Sequence, residues 1–312
     1  TGGGAVVTQH GGTRWFKGNT HTHTTQSDGD TSPREVIRWY AAHGYDFLAL
    51  SDHNVPSEPA GVKKPNGADF LLISGEEVSV NFNGVPIHLN ALDIGAALPP
   101  LCEETIAATL RANLEAIEQA GGLGHVNHPN FRYAISAADM LPVENLRFLE
   151  VYNGHPTVYN DGDAELGKQS VESMWDDLLS SGRKVYGLAV DDAHHFAEFH
   201  PGNANPGRGW IMVRAASLTA RDIIGAIRSG EFYATTGVEL ADLTNSASVI
   251  RLRVQSPANT PCAIEFVGPG GHVLHALSGV EAEFRPSPGQ GYVRARVRTG
   301  SGARCWTQPV FP

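Results

Sequence analysis

Two histidines separated by one threonine, His21 and His23, stand in the stretch GNTHTHTTQSDGD at residues 18–30, and an acidic, glycine-broken turn carrying Asp28 follows them. Side chains two apart on an extended segment share a face. His21 and His23 therefore point the same way, and so do Asp192 and His194 in VYGLAVDDAH at residues 185–194. Further candidates stand at comparable places: His53 closing LALSDH, Glu77 closing LLISGEE, His88 in PIHLNAL and His128 in HVNHP. Imidazole and carboxylate together suit Zn, Mn or Fe better than Ca, which prefers shells made of oxygen. The set is too large for one ion. Two or three divalent ions bridged by a carboxylate would use it fully, lower the pKa of bound water and clamp an anionic substrate.

Taken singly, each of these residues is ordinary. A lone H-x-H is usually solvated, Asp28 alone is a turn residue, and a lone His88 could be a hydrogen-bonded core histidine. Their recurrence at the ends of successive strand-like runs is what points to a common site. Several neighbours compete for the role. Glu76 and Glu77 face opposite ways on a regular strand, as do His125 and His128. Pro129 ends the run just after His128, which favours His128 and leaves His125 to pack against a helix or donate a hydrogen bond. Asp52 is expected to face away from the ions, in a supporting or a catalytic role. Asn153 and His155 in VYNGHP, His195 beside His194, and Arg208 in PGNANPGRGW are candidates for binding substrate. A guanidinium suits a phosphate through two parallel hydrogen bonds. Lys17 is expected to be structural, and Tyr233 in FYATTG is placed within reach of the site.

The elements that must position these residues alternate. Short apolar runs at 47–53, 70–80, 86–94, 122–129, 148–153, 185–194 and 209–215 read as strands. Helical runs lie near 103–120, 136–146, 166–181 and 219–229. SPREVIRWYAAHG adds a helix with Ser32 as N-cap, Pro33 at N1, Glu35 closing a capping box and Gly44 as the stop. This alternation predicts an α/β fold with a mainly parallel sheet, open or closed into a barrel, whose strand ends carry the site. After Gly237 the helical signal stops. Alternating runs at 248–255, 262–268, 272–277 and 291–300 predict a small antiparallel β domain. The expected domains are 1–237 and 238–312.

The bulk composition is that of a globular protein: 312 residues, 41 % hydrophobic, 18 % charged, with 14 histidines and a formal net charge of −10. An acidic chain argues against a nucleic-acid partner, because phosphate-backbone binding needs a basic face. A small anionic substrate is expected instead. No apolar run is long enough to span a membrane. The sequence opens at Thr1 without Met, read as loss of an export signal or as trimming, so a soluble protein in the cytoplasm or outside it is expected. Cys102, Cys262 and Cys305 lack metal-ligand spacing; Cys262 and Cys305 could pair on facing strands. Neither a G-x-S-x-G elbow nor a P-loop occurs, which leaves serine hydrolase and NTPase chemistry without support.

HTHTTQSDG (21–29), LALSDHN (48–54), GEEVS (75–79), HLNALDI (88–94), NHPN (127–130) and DDAHH (191–195) occur in the order of the motifs of the polymerase-and-histidinol-phosphatase (PHP) family of metallohydrolases, which residues 14–236 resemble. The start RWFKGNTHTHT and the β tail resemble the branch containing the carbaryl hydrolases. The family resemblance implies a distorted (β/α)7 barrel with a small C-terminal antiparallel β domain. It implies a two- or three-metal centre in which His21, His23, Glu77 and Asp192 hold one ion, Glu77 bridges to a second held by His88 and His128, and Asp28, His53 and His194 hold a third. The implied reaction is attack by a metal-bridging hydroxide on a phosphate ester, with Asp192, His53 and His194 as catalytic residues. A carboxylic ester or carbamate is the alternative substrate. A non-catalytic binding module whose tail docks a carbohydrate or protein is a third reading, and the tail could also serve an oligomer interface.

Overall fold

A computed structural model describes residues 12–58 and 60–312, with the side chain of Pro257 excluded; Thr1 and the rest of 1–11 lie outside the described residues. The first part of the chain runs β1 (Arg14–Asn19), α1 (Pro33–Ala42), β2 (Phe47–Ala49), β3 (Ala60–Lys63), β4 (Asp69–Ile73), β5 (Gly75–Phe82), β6 (Val85–Leu92), α2 (Ile106–Gln119), β7 (Leu123–Val126), α3 (Ala137–Met140), β8 (Phe148–Asn153), α4 (Val171–Ser180), β9 (Tyr186–Val190), β10 (Trp210–Ala215), α5 (Ala220–Arg228) and β11 (Phe232–Thr235). The remainder is β12 (Leu240–Asn245), β13 (Ile250–Val254), β14 (Cys262–Gly268), β15 (His272–Gly279), β16 (Glu281–Phe284), β17 (Arg294–Arg298) and β18 (Arg304–Thr307).

The fold is mixed α/β and rich in sheet. Among the described residues the strands form sheets of ten, five and three, rather than one closed hydrogen-bonded barrel. Pairing is parallel for β1–β2, β2–β4, β7–β8 and β8–β9 but antiparallel for β5–β6, β6–β7, β1–β10 and β10–β11, so the expectation of a mainly parallel sheet is corrected. One cause is local. Asn83 and Gly84, at φ 52° and 87°, form a two-residue loop between β5 and β6. A loop of this kind favours Asn-Gly because both central residues need positive φ. The continuous run 70–80 is split by Ser74 into β4 and β5, which belong to different sheets.

The ten- and five-stranded sheets meet at one end, beyond their regular strands. Isolated parallel bridges join His53 to Glu77 and Thr22 to Ala193. Backbone hydrogen bonds run from Ser51 N to Thr22 O (2.9 Å), Glu77 N to Asp52 O (3.2 Å), His23 N to Ala193 O (2.9 Å) and Asp192 N to His21 O (2.9 Å). Every segment in these contacts carries candidate ligands. The main core beneath them includes Phe47, Leu89, Leu149, Leu188 and Ile211, all fully buried.

α2, α3, α4 and α5 pack on that core, whereas α1 buries Val36, Tyr40 and Ala41 in a separate cluster with Leu48 and Phe70. α1 starts at Pro33 and stops before Gly44, at φ 81°. Its expected capping box does not form: the Ser32 hydroxyl donates to Glu35 Oε2 (2.7 Å) and caps no backbone N–H. An ionised carboxylate is the stronger partner for that hydroxyl. α3 is four residues long, because Pro142 follows its C-cap Leu141 and cannot continue a helix. It carries the capping box instead, between Ser136 and Asp139.

The tail strands are antiparallel, and β18 also pairs with β11, so β14, β15, β17 and β18 prolong the sheet that contains β1. Their core, built on Ile250, Leu252, Ile264, Phe266 and Val297, takes in Tyr233 and is flanked by Trp15 and Met212. Cys262 on β14 and Cys305 on β18 are free, with β17 between them. That separation of two strands answers the question of their pairing.

Candidate metal centre

The segment after β1 brings two ligand candidates to the sheet junction and then folds a third over them. Thr24 O accepts from Ser27 N (3.1 Å) and Gly29 N (2.9 Å), and this turn swings Asp28 back above His23. A Cβ on Gly29 would lie 2.8 Å from His23 C and Thr24 N, so the turn needs glycine. Asp52 fastens the turn by accepting from Thr24 N (2.8 Å), Thr24 Oγ1 (2.8 Å) and Ser27 Oγ (2.6 Å). It supports the loop and makes no contact with the other candidates' side chains in this network.

All nine metal-ligand candidates meet at this junction. His21, His23 and Asp192 form one group of donors within 4.8 Å of one another; His21, Glu77 and His128 form a second, His53, Glu77 and His88 a third, and His23, Asp28, His53 and His194 a fourth. Glu77 is central. Its Oε1 lies 3.3 Å from His21 Nε2, 3.2 Å from His128 Nε2 and 3.1 Å from His88 Nδ1, and its Oε2 lies 3.3 Å from His23 Nε2. Asp192 Oδ1 lies 3.2 Å from both His21 Nε2 and His23 Nε2. Asp28 reaches His194 Nε2 at 3.3 Å and His53 Nε2 at 3.4 Å. His88 is not at a strand end. β6 runs antiparallel, and mid-strand His88 stands opposite Ser79, two residues beyond Glu77.

These separations fit divalent ions. Ligand bonds of about 2.0–2.1 Å in a tetrahedral shell put neighbouring donors about 3.3 Å apart. Glu77 Oε2 and His88 Nδ1 are buried with no aligned hydrogen bond, although each has a polar neighbour close by: His53 Nδ1 at 2.8 Å and Glu77 Oε1 at 3.1 Å. Donor atoms left without an aligned hydrogen bond in such a cluster are available to a cation. The rear nitrogens are fixed in a consistent tautomer pattern. His21 Nδ1 lies 2.7 Å from Glu150 Oε1, His53 Nδ1 2.6 Å from Ser79 Oγ, His23 Nδ1 3.3 Å from Ser27 Oγ and His194 Nδ1 2.9 Å from the carbonyl of Asp192. Each can donate there and leave its Nε2 lone pair for a cation. His128 and Asp192 hold left-handed backbones at φ 23° and 50°. Non-glycine residues in that region cost on the order of 1–3 kcal/mol and cluster at functional sites.

The electrostatics show what the cluster lacks. Burial opposes charge on His21, but Asp192, Glu150 and Glu77 outweigh it and hold its pKa well above the usual value. Burial likewise opposes charge on His53, yet Asp28 and Glu77 raise it to about 10. Burial alone would raise Glu77 and Asp192; the surrounding imidazoles, with His88 and His21 foremost at Glu77 and His21 at Asp192, push both carboxyls well below the usual range. The carboxylates are thus ionised and favour protonation of His21, His53, His128 and His194, whereas burial and His194 disfavour it at His23. Divalent ions would replace those protons.

The other expected residues divide between this site and its surroundings. Asn153 is buried and donates to Glu150 Oε2 (2.9 Å) and Asp192 Oδ2 (3.1 Å), so its amide is engaged beneath the carboxylates. His195 and His155 line the cavity of about 170 Å³ above the cluster, with Phe131. Arg208 is absent from that lining. Its guanidinium donates to the Gly154 carbonyl (3.0 Å), and Asp191 accepts from the backbone N of Gly207 (2.9 Å), Arg208 (2.6 Å) and Gly209 (2.9 Å), which turns the loop away from the ligands. Tyr233 does not reach the site: it is buried in the tail core, where its hydroxyl accepts from Leu240 N (3.0 Å). Lys17 packs its ammonium over Tyr45 and Trp210, at 4.1 and 4.0 Å. Glu76 is buried and accepts from Leu98 N (2.6 Å). His125 is buried with neither ring nitrogen hydrogen-bonded, and burial lowers its pKa to about 4.

Sequence reasoning missed Glu150 and Asn127. Glu150 is fully buried on β8; besides His21 it accepts from His128 N (2.8 Å). Asn127 donates to Glu77 Oε1 (2.8 Å) and to Asn90 Oδ1 (2.8 Å). The available signal was a glutamate inside the apolar run FLEVYN, since an unpaired carboxylate is almost never buried.

A carboxylate-centred imidazole cluster at the joined ends of two sheets has the donor chemistry to hold divalent cations. Comparison with known proteins narrows the class. No family model matches the chain. It is 28 % identical over 183 residues to a 5′-3′ exoribonuclease of Haemophilus influenzae, covering 54 % of this chain and 66 % of that protein. It is 36 % identical over 108 residues to a 3′,5′-nucleoside bisphosphate phosphatase of Chromobacterium violaceum, covering 33 % of this chain and 35 % of that one. The chain thus spans just under two thirds of the first relative and about a third of the second. In structure it resembles a two-domain protein of Bacteroides vulgatus containing a PHP-like metal-dependent phosphoesterase, with a TM-score of 0.51, 15 % identity, and coverage of 93 % of this chain and 92 % of that chain. The likeness to this PHP-like protein is one of fold.

Proposed function

We infer that this protein is a metal-dependent phosphoesterase of the PHP type, acting on a phosphate ester small enough, or with an end small enough, to enter a cavity of about 170 Å³. One observation carries the reading: a single buried carboxylate, Glu77, lies 2.8–3.3 Å from five imidazoles contributed by four segments of the chain. Our reading of the site gives His21, His23, Glu77 and Asp192 to one ion, Glu77, His88 and His128 to a second, and Asp28, His53 and His194 to a third, with Mn, Zn and Fe as the metals that suit these donors. Bound ions of this kind supply Lewis acidity and a low-pKa water at neutral pH. We read the joined sheets as a strongly distorted barrel, and 238–312 as a β unit built onto it.

The chain's own residues shape the rest. His155 Nδ1 accepts from Thr157 N (3.2 Å) and His195 Nδ1 accepts from Ala204 N (3.1 Å), so in both rings the proton sits on Nε2. Burial holds His155 near a pKa of about 4, which keeps it neutral at neutral pH. These two rings can donate to oxygens of the ester, and Phe131 shields one wall from water. His194 and Asp28 flank the cavity where a leaving group would depart.

The named relatives act on RNA or on a nucleotide, so the exclusion of nucleic acid drawn from net charge is set aside. An acidic chain can still admit the phosphorylated end of a nucleotide. Carboxylic ester and carbamate hydrolysis, and the carbaryl-hydrolase branch, find no support among these relatives. No helix is long and apolar enough to cross a membrane among the described residues. The test is metal analysis of the purified protein followed by assay against phosphomonoesters, phosphodiesters, aryl esters and aryl carbamates. Metal-dependent turnover of phosphate esters is expected. Preference for the last two classes, or full activity after metal stripping, would overturn the reading.

A further inference from the structure

A second cavity, of about 420 Å³, adjoins the metal pocket and shares His155 with it. Its walls come from the segment after β8 and from Arg208, and one wall belongs to the tail, through Arg304 on β18. Asp161 is the one acidic side chain in that lining. The two arginines differ in how they are held. Arg208 donates to the Gly154 carbonyl (3.0 Å), the His200 carbonyl (3.3 Å) and Asn205 Oδ1 (3.4 Å). All three acceptors are neutral, so the guanidinium is fixed in place without a carboxylate to cancel its charge. Arg304 pairs with Asp161 through two contacts (2.6 and 3.2 Å), but the Asp161 side chain is 76 % exposed. An ion pair that open to solvent is weak and can exchange for a stronger anion.

Size and charge therefore divide between the neighbours. The metal pocket is large enough for the reacting phosphate. The adjoining cavity is more than twice as large and presents two guanidiniums, groups that recognise phosphate through paired hydrogen bonds. We propose that the adjoining cavity is a leaving-group subsite for a second anionic group, a phosphate or a carboxylate, so that the preferred substrate is a phosphate ester carrying another negative charge, gripped from one side by Arg208 and from the tail by Arg304. The tail is thereby part of substrate recognition. This rests on the phosphoesterase reading for the identity of the reaction, and on the cavity alone for the binding.

The test uses ligands that no phosphoesterase can cleave. A graded series of α,ω-alkane bisphosphonates is compared with alkyl monophosphonates of matched length, by calorimetry on the full chain loaded with Mn²⁺. At the best spacing the bisphosphonate binds at least about tenfold tighter than its monophosphonate, as one charge-assisted arginine contact implies. Arg208→Gln and Arg304→Gln each shrink that ratio toward one, and Arg208→Lys, which keeps the charge, preserves part of it. Equal affinity at every spacing, or an advantage that survives both Gln variants, overturns the subsite. Because the carbon–phosphorus bond does not hydrolyse, either outcome is read independently of turnover, and absence of phosphatase activity would count only against the phosphoesterase reading.

Discussion

Two clusters of buried charge lie in this molecule, and they are solved in opposite ways. Between α4 and the tail, Glu172 and Asp176 meet Arg294, which is fully buried: Arg294 Nε donates to Asp176 Oδ1 (2.9 Å), and its Nη2 to Asp176 Oδ2 (2.8 Å) and Glu172 Oε1 (2.9 Å). Tyr292 OH adds a bond to Asp176 (2.7 Å), Arg296 a contact to Glu172 (3.1 Å), and the guanidinium stacks over Trp175 at 4.8 Å. Anions and cation come from the same chain, and the result joins the tail to the rest. At the sheet junction, Glu77, Asp192 and Glu150 are just as buried, but no lysine or arginine lines the cavity among the described residues, and imidazoles face the carboxylates instead. A chain that wants a structural anchor supplies the cation covalently. A chain that wants a reactive pocket leaves the position for an exchangeable one.

Mutations can break this contrast. The largest expected effect is at the central carboxylate: Glu77→Gln lowers turnover by well over about a hundredfold, more than the loss of a supporting residue would, and metal content measured on the same sample falls with it. At the other cluster, Arg294→Ala leaves Glu172 and Asp176 buried and uncompensated, and denaturant unfolding should show a loss of about 3–5 kcal/mol while the folded fraction keeps its metal. Glu150→Gln stands between the two. It weakens the hold on His21, and a titration with Mn²⁺ or Zn²⁺ should find affinity reduced by about 10–100-fold with the fold retained.

Acid sharpens the contrast with the smallest effect. Burial alone would raise Glu172, but Arg294 and Arg296 bring its pKa to about 2, from an ordinary value of 4.5. A carboxyl depressed in the folded state contributes stability that is fully present above the unfolded value and is lost as pH falls through the folded one. Thermal unfolding of wild type should therefore show this contribution fading between about pH 4.5 and 2, and the fading should be smaller in Arg294→Ala, where Arg296 alone still faces Glu172.

The pairs His21 with His23 and Asp192 with His194 were legible as candidates just past strand ends, and the structure brings all four to one junction, although the left-handed backbone at Asp192 breaks the alternation assumed for its pair. What was hidden depended on partners distant in sequence. Glu150 reads as a misplaced charge in FLEVYN until His21, 129 residues away, is seen against it. Arg208 reads as a ligand of the reacting phosphate until Asp191 is seen pinning its loop's backbone, with the guanidinium lining the adjoining cavity instead. The alternation of strands and helices was readable, but the Asn83-Gly84 loop, which reverses the chain between Glu77 and His88, lies between two runs read as strands of a mainly parallel sheet. The tail was drawn from the end of the helical signal after Gly237 and the alternating runs beyond it, whereas β18 pairing with β11 is a matter of sheet edges that no local pattern announces.

The most direct test of the central claim is anomalous diffraction from crystals of the protein soaked in Mn²⁺. The account predicts strong peaks on both sides of Glu77, one enclosed by His21, His23 and Asp192 and another by His88 and His128. Density confined to surface carboxylates, with the Glu77 cluster bearing no peak, would contradict it.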